Sequence, residues 1–197
     1  MNDKAAIRRT VLQTLSLLSE DEISQKSAFI IKKLLSTVWW QEAELVCLYY
    51  SMPAEVSTAD LFFQARTAKK TVAAPRITGK ELIFYDCTHP ESPLVMHNYG
   101  MKEPAPENRI IDFEQIKEKI LIIVPGVAFD NQKNRLGRGK GYYDKFTGAL
   151  QKTVNRSIIK PITCIGLCFS IQLINRVPVN AYDQPVHTVI TEDSIIE

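Results

Sequence analysis

The sequence predicts an α/β protein in which one sheet carries helices on both faces, and three observations lead to that prediction. Continuously apolar runs such as Ile120–Val124 are typical of strands buried on both faces. Segments whose apolar residues recur at helical spacing alternate with these runs. A glycine-rich segment at 137–141 follows an apolar strand, where α/β sheets commonly bind ligands. No linker, repeat or low-complexity tract interrupts residues 1–197, so we expect a single domain.

The first half of the chain is predicted to begin with two helices. Apolar residues recur at helical spacing over residues 3–18. Ser19 and Glu22 form a capping-box pattern, which predicts a second helix through about Ser36. The other elements predicted here are a strand at 45–50, a helix capped within 57–60 and running to about Lys69, a strand at 71–74 stopped by Pro75, and a strand at 81–85.

The second half is predicted to begin with a loop-rich stretch. Pro90, Pro93, Pro104 and Pro106 fall within residues 86–109 and favour loops over regular structure there. The elements predicted beyond it are a short helix at 113–119, a strand at 120–124, a helix at 141–153, a strand at 163–168, a helical turn at 170–175 and a strand at 188–190.

Composition and charge exclude several classes of protein. Hydrophobic residues make up 45% of the chain and charged residues 23%, which argues against disorder. A net charge of +2 is too small to favour nucleic acid as a partner. The start lacks the apolar core of a signal peptide and no stretch reaches membrane-spanning length, so we expect a cytoplasmic protein. The four cysteines show no C-x-x-C pair and the three histidines no ligand spacing, so buried thiols are expected rather than disulfides or zinc.

The glycine-rich segment combines backbone freedom with concentrated positive charge. Its three glycines, at alternate positions within 137–141, have no Cβ and can approach a ligand closely. Arg135, Arg138 and Lys140 are interleaved with them. Residues 130–145 hold five Lys or Arg and two Asp, a charge of +3 that exceeds the +2 of the whole chain. This pattern predicts a site for a small polyanion, and phosphate fits it best.

The two commonest phosphate-binding patterns do not describe this segment. In a Walker A loop Ser or Thr would follow the lysine, but Gly141 follows Lys140, and Asn134 stands where the first glycine would be. The alternate spacing of the glycines also differs from the dinucleotide fingerprint. The loop alone therefore indicates anion binding and nothing finer.

Two aspartates have open interpretations at this stage. Asp144 lies one helical turn past Lys140, where a carboxylate is either an ion-pair partner for Arg138 or Lys140 or a ligand for Mg²⁺ held on phosphates. Asp183 lies in a loop, where it is either a turn residue or a second acid that converges on the same ion.

Three further charged residues are candidates of the same kind. Lys4 and Arg8 are four residues apart and share one helix face, which is either a solvated face or part of the anion site. Glu55 follows the strand that ends at Tyr50, so it is either an exposed loop acid or a hydrogen-bond acceptor for a substrate.

Two long motifs resemble the signature of the 5-formyltetrahydrofolate cyclo-ligase family. They are Val-Pro-Gly-Val-Ala-Phe-Asp at 124–130 and Asn-Arg-Leu-Gly-Arg-Gly-Lys-Gly-Tyr-Tyr-Asp at 134–144. The Lys-x-x-x-Arg start at 4–8, the segment 50–55 and the segment 177–183 also occur in the family's order at similar separations. The resemblance covers nearly the whole chain and implies a compact α/β fold of the sugar-isomerase/CoA-transferase-like type.

The resemblance implies a ligase that forms a cyclic C–N bond. Such an enzyme uses ATP and Mg²⁺ to convert 5-formyltetrahydrofolate, with or without a polyglutamate tail, to 5,10-methenyltetrahydrofolate, releasing ADP and phosphate. Phosphorylation of the formyl oxygen activates the formyl group for attack by the neighbouring folate nitrogen. The resemblance further implies a cytoplasmic protein of one-carbon metabolism, a monomer with no nucleic-acid or membrane partner.

The resemblance also assigns roles to matching positions. Arg138, Lys140 and Glu55 are implied to be catalytic, and Asp144 and Asp183 to hold Mg²⁺. The residues implied to bind ATP are Lys4, Arg8, Arg135, Leu136, Gly137, Arg138, Gly139, Lys140, Gly141, Tyr142 and Tyr143. The residues implied to bind the folate are Tyr50, Glu55, Tyr99, Arg138, Gly139, Lys140, Gly141 and Tyr142.

Two other functions remain as alternatives. One is a binding module that holds RNA or a phosphorylated ligand without catalysis, although the basic residues are confined to one loop and the first helix. The other is an ATP-binding member of the same family that acts on a different formylated or amide substrate.

Overall fold

The computed structural model describes residues 4–97, 100–154 and 162–197. The helices of these residues are α1 (Lys4–Leu15), α2 (Glu20–Leu35), α3 (Val38–Glu42), α4 (Ala59–Thr67) and α5 (Tyr142–Val154). The strands are β1 (Leu45–Cys47), β2 (Thr71–Thr78), β3 (Glu81–Asp86), β4 (Leu94–Met96), β5 (Lys102–Pro104), β6 (Ile120–Val124), β7 (Ala128–Phe129), β8 (Arg135–Leu136), β9 (Ile162–Leu167), β10 (Thr188–Ile190) and β11 (Ile195–Ile196).

Seven strands form one mixed sheet in the order β11-β10-β9-β6-β1-β2-β3. The five central strands are parallel, while β3 and β11 pair antiparallel at the two edges. Two small hairpins, β4–β5 and β7–β8, lie outside this sheet. The predicted α/β class is therefore confirmed, and the edge strands add antiparallel pairing.

The two faces of the sheet pack against separate hydrophobic clusters. On β6, Leu121 and Ile123 belong to a cluster with α1, α2 and α4, while Ile120, Ile122 and Val124 belong to a cluster that includes Leu150 of α5. Because strand side chains alternate between faces, a strand covered on both sides is apolar at every position. This explains why the run at 120–124 has no polar residue.

Two helix predictions are confirmed in detail, and a third predicted helix, α4, forms without the expected side-chain cap. Ser19 caps α2 with both hydrogen bonds of a capping box to Glu22, and α5 occupies the predicted 141–153 segment with its start at Tyr142. Thr58 stands at the N-cap of α4, but its side chain makes no cap hydrogen bond, because its hydroxyl donates to the Tyr49 carbonyl instead.

Several predicted boundaries are wrong. β2 does not stop at Pro75: it runs to Thr78, because β1 pairs with it only as far as Ala73 and beyond that β3 is its one neighbour in the sheet. The short helix expected at 113–119 is only a 3-10 turn, Phe113–Gln115. The other differences are that β1 ends at Cys47 rather than 50, that α3 was not predicted, and that the loop-rich stretch contains the β4–β5 hairpin.

The cysteine prediction is confirmed, since all four cysteines are buried and free. Burial raises the pKa of the Cys47 and Cys87 thiols, which keeps them protonated and unreactive. Within the described ranges, no helix has both the length and the hydrophobicity that crossing a membrane requires.

Candidate active site

A cavity of about 1530 Å³ lies at the carboxyl ends of β1, β2 and β6. Its wall includes residues that follow β1, residues that follow β6, and α5 from Tyr142 to Lys152. An α-helix rises 1.5 Å per residue, so this side of the cavity extends about 15 Å.

The described lining of this cavity carries eight cations and four carboxylates, a formal excess of four positive charges. The cations are Lys4, Arg8, Lys102, Arg135, Arg138, Lys140, Lys145 and Lys152, and the carboxylates are Glu55, Glu103, Asp144 and Asp183. A concave surface with one dominant sign of charge concentrates ligands of the opposite sign. The cavity is suited to polyanions.

The predicted glycine loop forms one wall of the cavity. Gly139 and Gly141 have φ of +104° and +69°, conformations that side chains with a Cβ rarely adopt. Gly137 has ordinary φ, but a Cβ there would lie 2.8 Å from the Arg135 guanidinium. The glycines at 139 and 141 are thus needed for backbone conformation, whereas a Cβ at 137 would displace the end of the Arg135 side chain.

Helix α1 contacts the glycine loop, and the sequence had made Lys4 and Arg8 of this helix candidates for the same anion site. Arg8 Nε donates a 2.7 Å hydrogen bond to the Gly137 carbonyl oxygen. Lys4 Nζ pairs with Asp183 Oδ2, which also accepts the Asn180 N–H at 2.7 Å. Asp183 is therefore both a turn residue and an ion-pair partner.

Arg135, predicted as one of the cations interleaved with the glycines, is buried. It lies on β8, and its side chain is 5% exposed and pairs with Asp144 Oδ2 at 2.8 Å. The guanidinium also lies over the Tyr143 ring, 5.7 Å from its centroid. The ion-pair partner of Asp144 is therefore Arg135 and not Arg138 or Lys140.

Asp144 and Asp183 are neighbours through the loop before β10. Gln184, which follows Asp183, donates its N–H to Asp144 Oδ1 at 3.3 Å. Among the described residues no cluster of three His, Cys, Asp or Glu could hold a metal. Mg²⁺ on phosphates typically takes one or two protein carboxylates, with phosphate oxygens and waters as its other ligands. Two adjacent aspartates fit that requirement.

Glu55 and Arg138 pair across the cavity. Arg138 donates from Nη2 and Nε to Glu55 Oε1 at 2.9 and 3.3 Å, and the Met52 N–H donates to Oε2 at 2.9 Å. The Glu55 side chain is only 14% exposed, so it is not a solvated loop acid. Ala54, with φ of +63°, immediately precedes it, and such a left-handed residue costs conformational energy.

Two tyrosines of the site, Tyr50 and Tyr143, have raised pKa values. Burial and the nearby Cys87 raise the pKa of Tyr50, against the opposing effect of Arg66, and its ring stacks on Phe62 at 4.5 Å. Burial also raises the pKa of Tyr143 strongly, although Arg135 opposes it. The Tyr143 hydroxyl is buried with no partner among the described residues. Tyr99 lies outside the described residues.

Sequence reasoning missed one residue that shapes the site. Asp130 is 1% exposed, and its carboxylate accepts the N–H groups of Gln132, Asn134 and Val177 at 2.9–3.0 Å. These bonds close the turn between β7 and β8, which places the glycine loop. The Asp-Asn dipeptide at 130–131 signals a turn, but not its burial.

Comparison with known proteins gives one consistent family. Residues 1–192 match the model of the 5-formyltetrahydrofolate cyclo-ligase family. The chain is 34% identical to a probable 5-formyltetrahydrofolate cyclo-ligase of Schizosaccharomyces pombe, covering 98% of this chain and 97% of that protein. It is 30% identical to 5-formyltetrahydrofolate cyclo-ligase of Mus musculus, covering 97% and 94%.

A solved structure supports the same relationship. The NMR structure of 5,10-methenyltetrahydrofolate synthetase from Aquifex aeolicus is similar with a TM-score of 0.78 and 32% sequence identity, over 98% of this chain and 91% of that one.

Proposed function

The chain belongs to the 5-formyltetrahydrofolate cyclo-ligase family, and we propose that it uses Mg²⁺ and ATP to convert 5-formyltetrahydrofolate to 5,10-methenyltetrahydrofolate. The observation that carries the proposal is the cavity with an excess of four positive charges, in which the glycine loop contacts α1 and pairs with Glu55. The relatives' names supply the substrate, and the charged cavity supplies the reason for a phosphate donor.

The nucleotide is assigned to the glycine-loop wall. Lys4, Arg8 and Lys140 would neutralise the phosphates, and the backbone at Gly139 and Gly141 would approach them closely. Arg135 and Leu136 would support this wall from β8, with Gly137, Arg138, Tyr142 and Tyr143 completing it. Asp144 and Asp183 would hold Mg²⁺, which when bound draws charge from the phosphoryl oxygens.

The reaction needs little side-chain chemistry beyond positioning. The formyl oxygen attacks the γ-phosphorus, the bond to the ADP oxygen breaks, and ADP leaves. The folate nitrogen N10 then attacks the activated formyl carbon, its proton is lost, and phosphate departs as the five-membered ring closes. Arg138 and Lys140 would stabilise the charge that develops on the phosphoryl group.

Glu55 and Tyr50 are assigned to the folate side. Glu55 would accept hydrogen bonds from the folate once Arg138 turns to the phosphoryl group, since that arginine now occupies its Oε1. Tyr50, Tyr99 and the exposed face of Arg138–Tyr142 would contact the same substrate. We further propose a cytoplasmic monomer that accepts folates with or without a polyglutamate tail.

The test is spectroscopic. The purified protein is mixed with 5-formyltetrahydrofolate, MgCl₂ and ATP, and the near-ultraviolet absorbance of the methenyl product is followed. We expect product only when all three are present, and none with a β,γ-imido analogue of ATP or with excess EDTA. If ATP binds but no product forms, the proposal is wrong, and an ATP-dependent reaction on another formylated or amide substrate is favoured instead.

A further inference from the structure

The β4–β5 hairpin exposes apolar side chains and buries a carboxylate, the opposite of the usual burial pattern. On β4, Leu94, Val95 and Met96 are 37%, 38% and 65% exposed. On β5, by contrast, Glu103 is 2% exposed. A hairpin selected only for packing would bury the apolar residues and expose the carboxylate. Departures from that rule concentrate at functional sites.

The Glu103 carboxylate is only half satisfied within the protein. Oε1 accepts the Ile77 N–H at 3.0 Å. Oε2 lies 4.0 Å from Arg76 Nη1, beyond hydrogen-bonding distance, because that nitrogen donates to the Pro104 carbonyl oxygen at 2.8 Å. Among the described residues none donates a hydrogen bond to Oε2. The Glu103 side chain keeps 3% exposure and lines the cavity, so a ligand that supplies a donor to Oε2 is favoured there.

Glu103 faces the cavity that the proposed function uses. The cavity lining also includes the apolar side chains of Pro75, Ile77, Leu82 and Met101, and Glu103 is bonded to the Ile77 N–H. An apolar wall that ends in one buried carboxylate is suited to a flat heterocycle whose edge carries N–H donors. Glu55, the other carboxylate of the folate side, is already held by Arg138 and Met52.

The reduced pterin of the proposed substrate has such an edge. Its N3–H and 2-amino group point in one direction with the spacing of a guanidinium fork, which matches the two oxygens of a carboxylate. We propose that Glu103 recognises this edge and thereby determines specificity for 2-amino-4-oxo-pterins. This inference rests on the proposed function, since it assigns the orientation of the same substrate in the same cavity.

The experiment measures how a change at Glu103 alters the preference between two ligands. Equilibrium binding of 5-formyltetrahydrofolate and of its 2-desamino-2-methyl analogue is measured for the wild type, Glu103→Leu and Glu103→Gln. We expect the wild type to prefer the parent compound by about 10- to 100-fold, since the analogue leaves the carboxylate unpaired. In Glu103→Leu the ratio of the two dissociation constants should fall to within about threefold of one. Glu103→Gln keeps an acceptor for the Ile77 N–H, and its ratio should be intermediate.

The controls separate recognition from folding and from the proposed function. Glu81→Gln, an exposed acid on β3, should retain the full preference. The affinity for ATP should change by less than about twofold in every variant, since the nucleotide is assigned to the other wall. Should Glu103→Leu fail to fold, the Gln variant decides. A wild-type preference that both folded variants keep, or no preference in the wild type, overturns the inference. Because binding is measured without turnover, absence of methenyl product refutes only the proposed reaction.

Discussion

Two groups of ion pairs in this molecule use the same kinds of side chain and differ in place, since one lies outside the cavity and the other lines it. The first joins α2 to the end of the sheet through Glu192, whose Oε1 accepts from Lys26 Nζ at 2.5 Å and whose Oε2 accepts from the Ser170 N–H at 2.8 Å. Ser170 Oγ also donates to Oε1 at 2.8 Å, and the Glu192 side chain is 7% exposed. We call the Lys26–Glu192–Ser170 group the clasp.

The second group lines the cavity, where cations outnumber carboxylates by two to one. Its three ion pairs join Lys4 to Asp183, Arg135 to Asp144 and Arg138 to Glu55. Each of these pairs links two segments that would both contact ligands. The clasp residues do not line the cavity, whereas the cavity pairs could exchange their internal partners for phosphate oxygens. We therefore expect changes at the cavity to affect activity and changes at the clasp to affect stability.

The largest effect is expected for Asp144→Asn. The change removes a carboxylate of the proposed Mg²⁺ pair and the partner of the buried Arg135. Turnover should fall by about 100-fold or more, as it does when one stabilising group of a transition state is lost. The rate of methenyl formation measured against Mg²⁺ concentration checks this.

The matched control is Asp86→Asn, which disrupts an ion pair with Arg109 outside the cavity. It should leave the rate within about twofold of the wild type. Wild-type turnover in Asp144→Asn would remove this residue from the metal site.

A smaller loss is expected for Arg138→Ala. The arginine is 44% exposed, so its pair with Glu55 contributes at most about 1 kcal/mol to stability. Its proposed place beside the phosphoryl group should nevertheless make kcat/KM fall by about 30-fold. Initial rates and thermal unfolding on the same preparation test both halves of this prediction. Arg109→Ala is the control, and a large drop in Tm with unchanged kcat/KM would reverse the assignment.

How much the sequence could predict depends on whether its signals were local. The capping box at Ser19 and the buried strand at 120–124 were predictable, because neighbouring residues determine both. The course of β2 through Pro75 was not, since it depends on where β1 stops pairing. A proline interrupts a strand only where a neighbouring strand would need its missing N–H. The local sequence does not reveal where that neighbour stops pairing.

The candidate site shows the same division. The glycine loop was predictable from the local spacing of its glycines and cations. The family resemblance added Lys4, Glu55 and Asp183, which are distant in the sequence. The pairing of Arg135 with Asp144 was not predictable, because burial of an arginine on β8 depends on how the β7–β8 hairpin folds back. Glu103 gave no signal, since a glutamate between lysine and proline in a loop-rich stretch is expected to be exposed.

At the clasp, Glu192→Gln should lower stability and leave activity unchanged. The neutral amide weakens the bonds from Lys26 and Ser170, and hydrogen bonds to a charged group contribute about 1.5 kcal/mol. For a chain of this length that corresponds to a decrease in Tm of about 4 °C. Urea unfolding and the methenyl assay test this, and a change of kcat above about threefold would mean that the clasp and the cavity are coupled.

The smallest effect is the pH dependence of that difference in stability. Burial alone would raise the pKa of Glu192, but hydrogen bonds from Lys26 and Ser170 outweigh it and lower the pKa from its ordinary 4.5. The hydrogen bond to Glu192 raises the pKa of Lys26 above its ordinary 10.5.

A carboxyl group with a lowered pKa contributes its full stability above its ordinary pKa and loses it as the pH falls through the folded value. An ammonium group with a raised pKa contributes its full stability below its ordinary pKa, and this contribution is lost as the pH rises through the folded value. The wild type should therefore exceed Glu192→Gln by a constant margin between about pH 5 and pH 10, and the margin should narrow below pH 4.5. Urea midpoints at pH 7 and pH 4 measure it; a margin that widens in acid would show that the lowered pKa of Glu192 does not stabilise the fold.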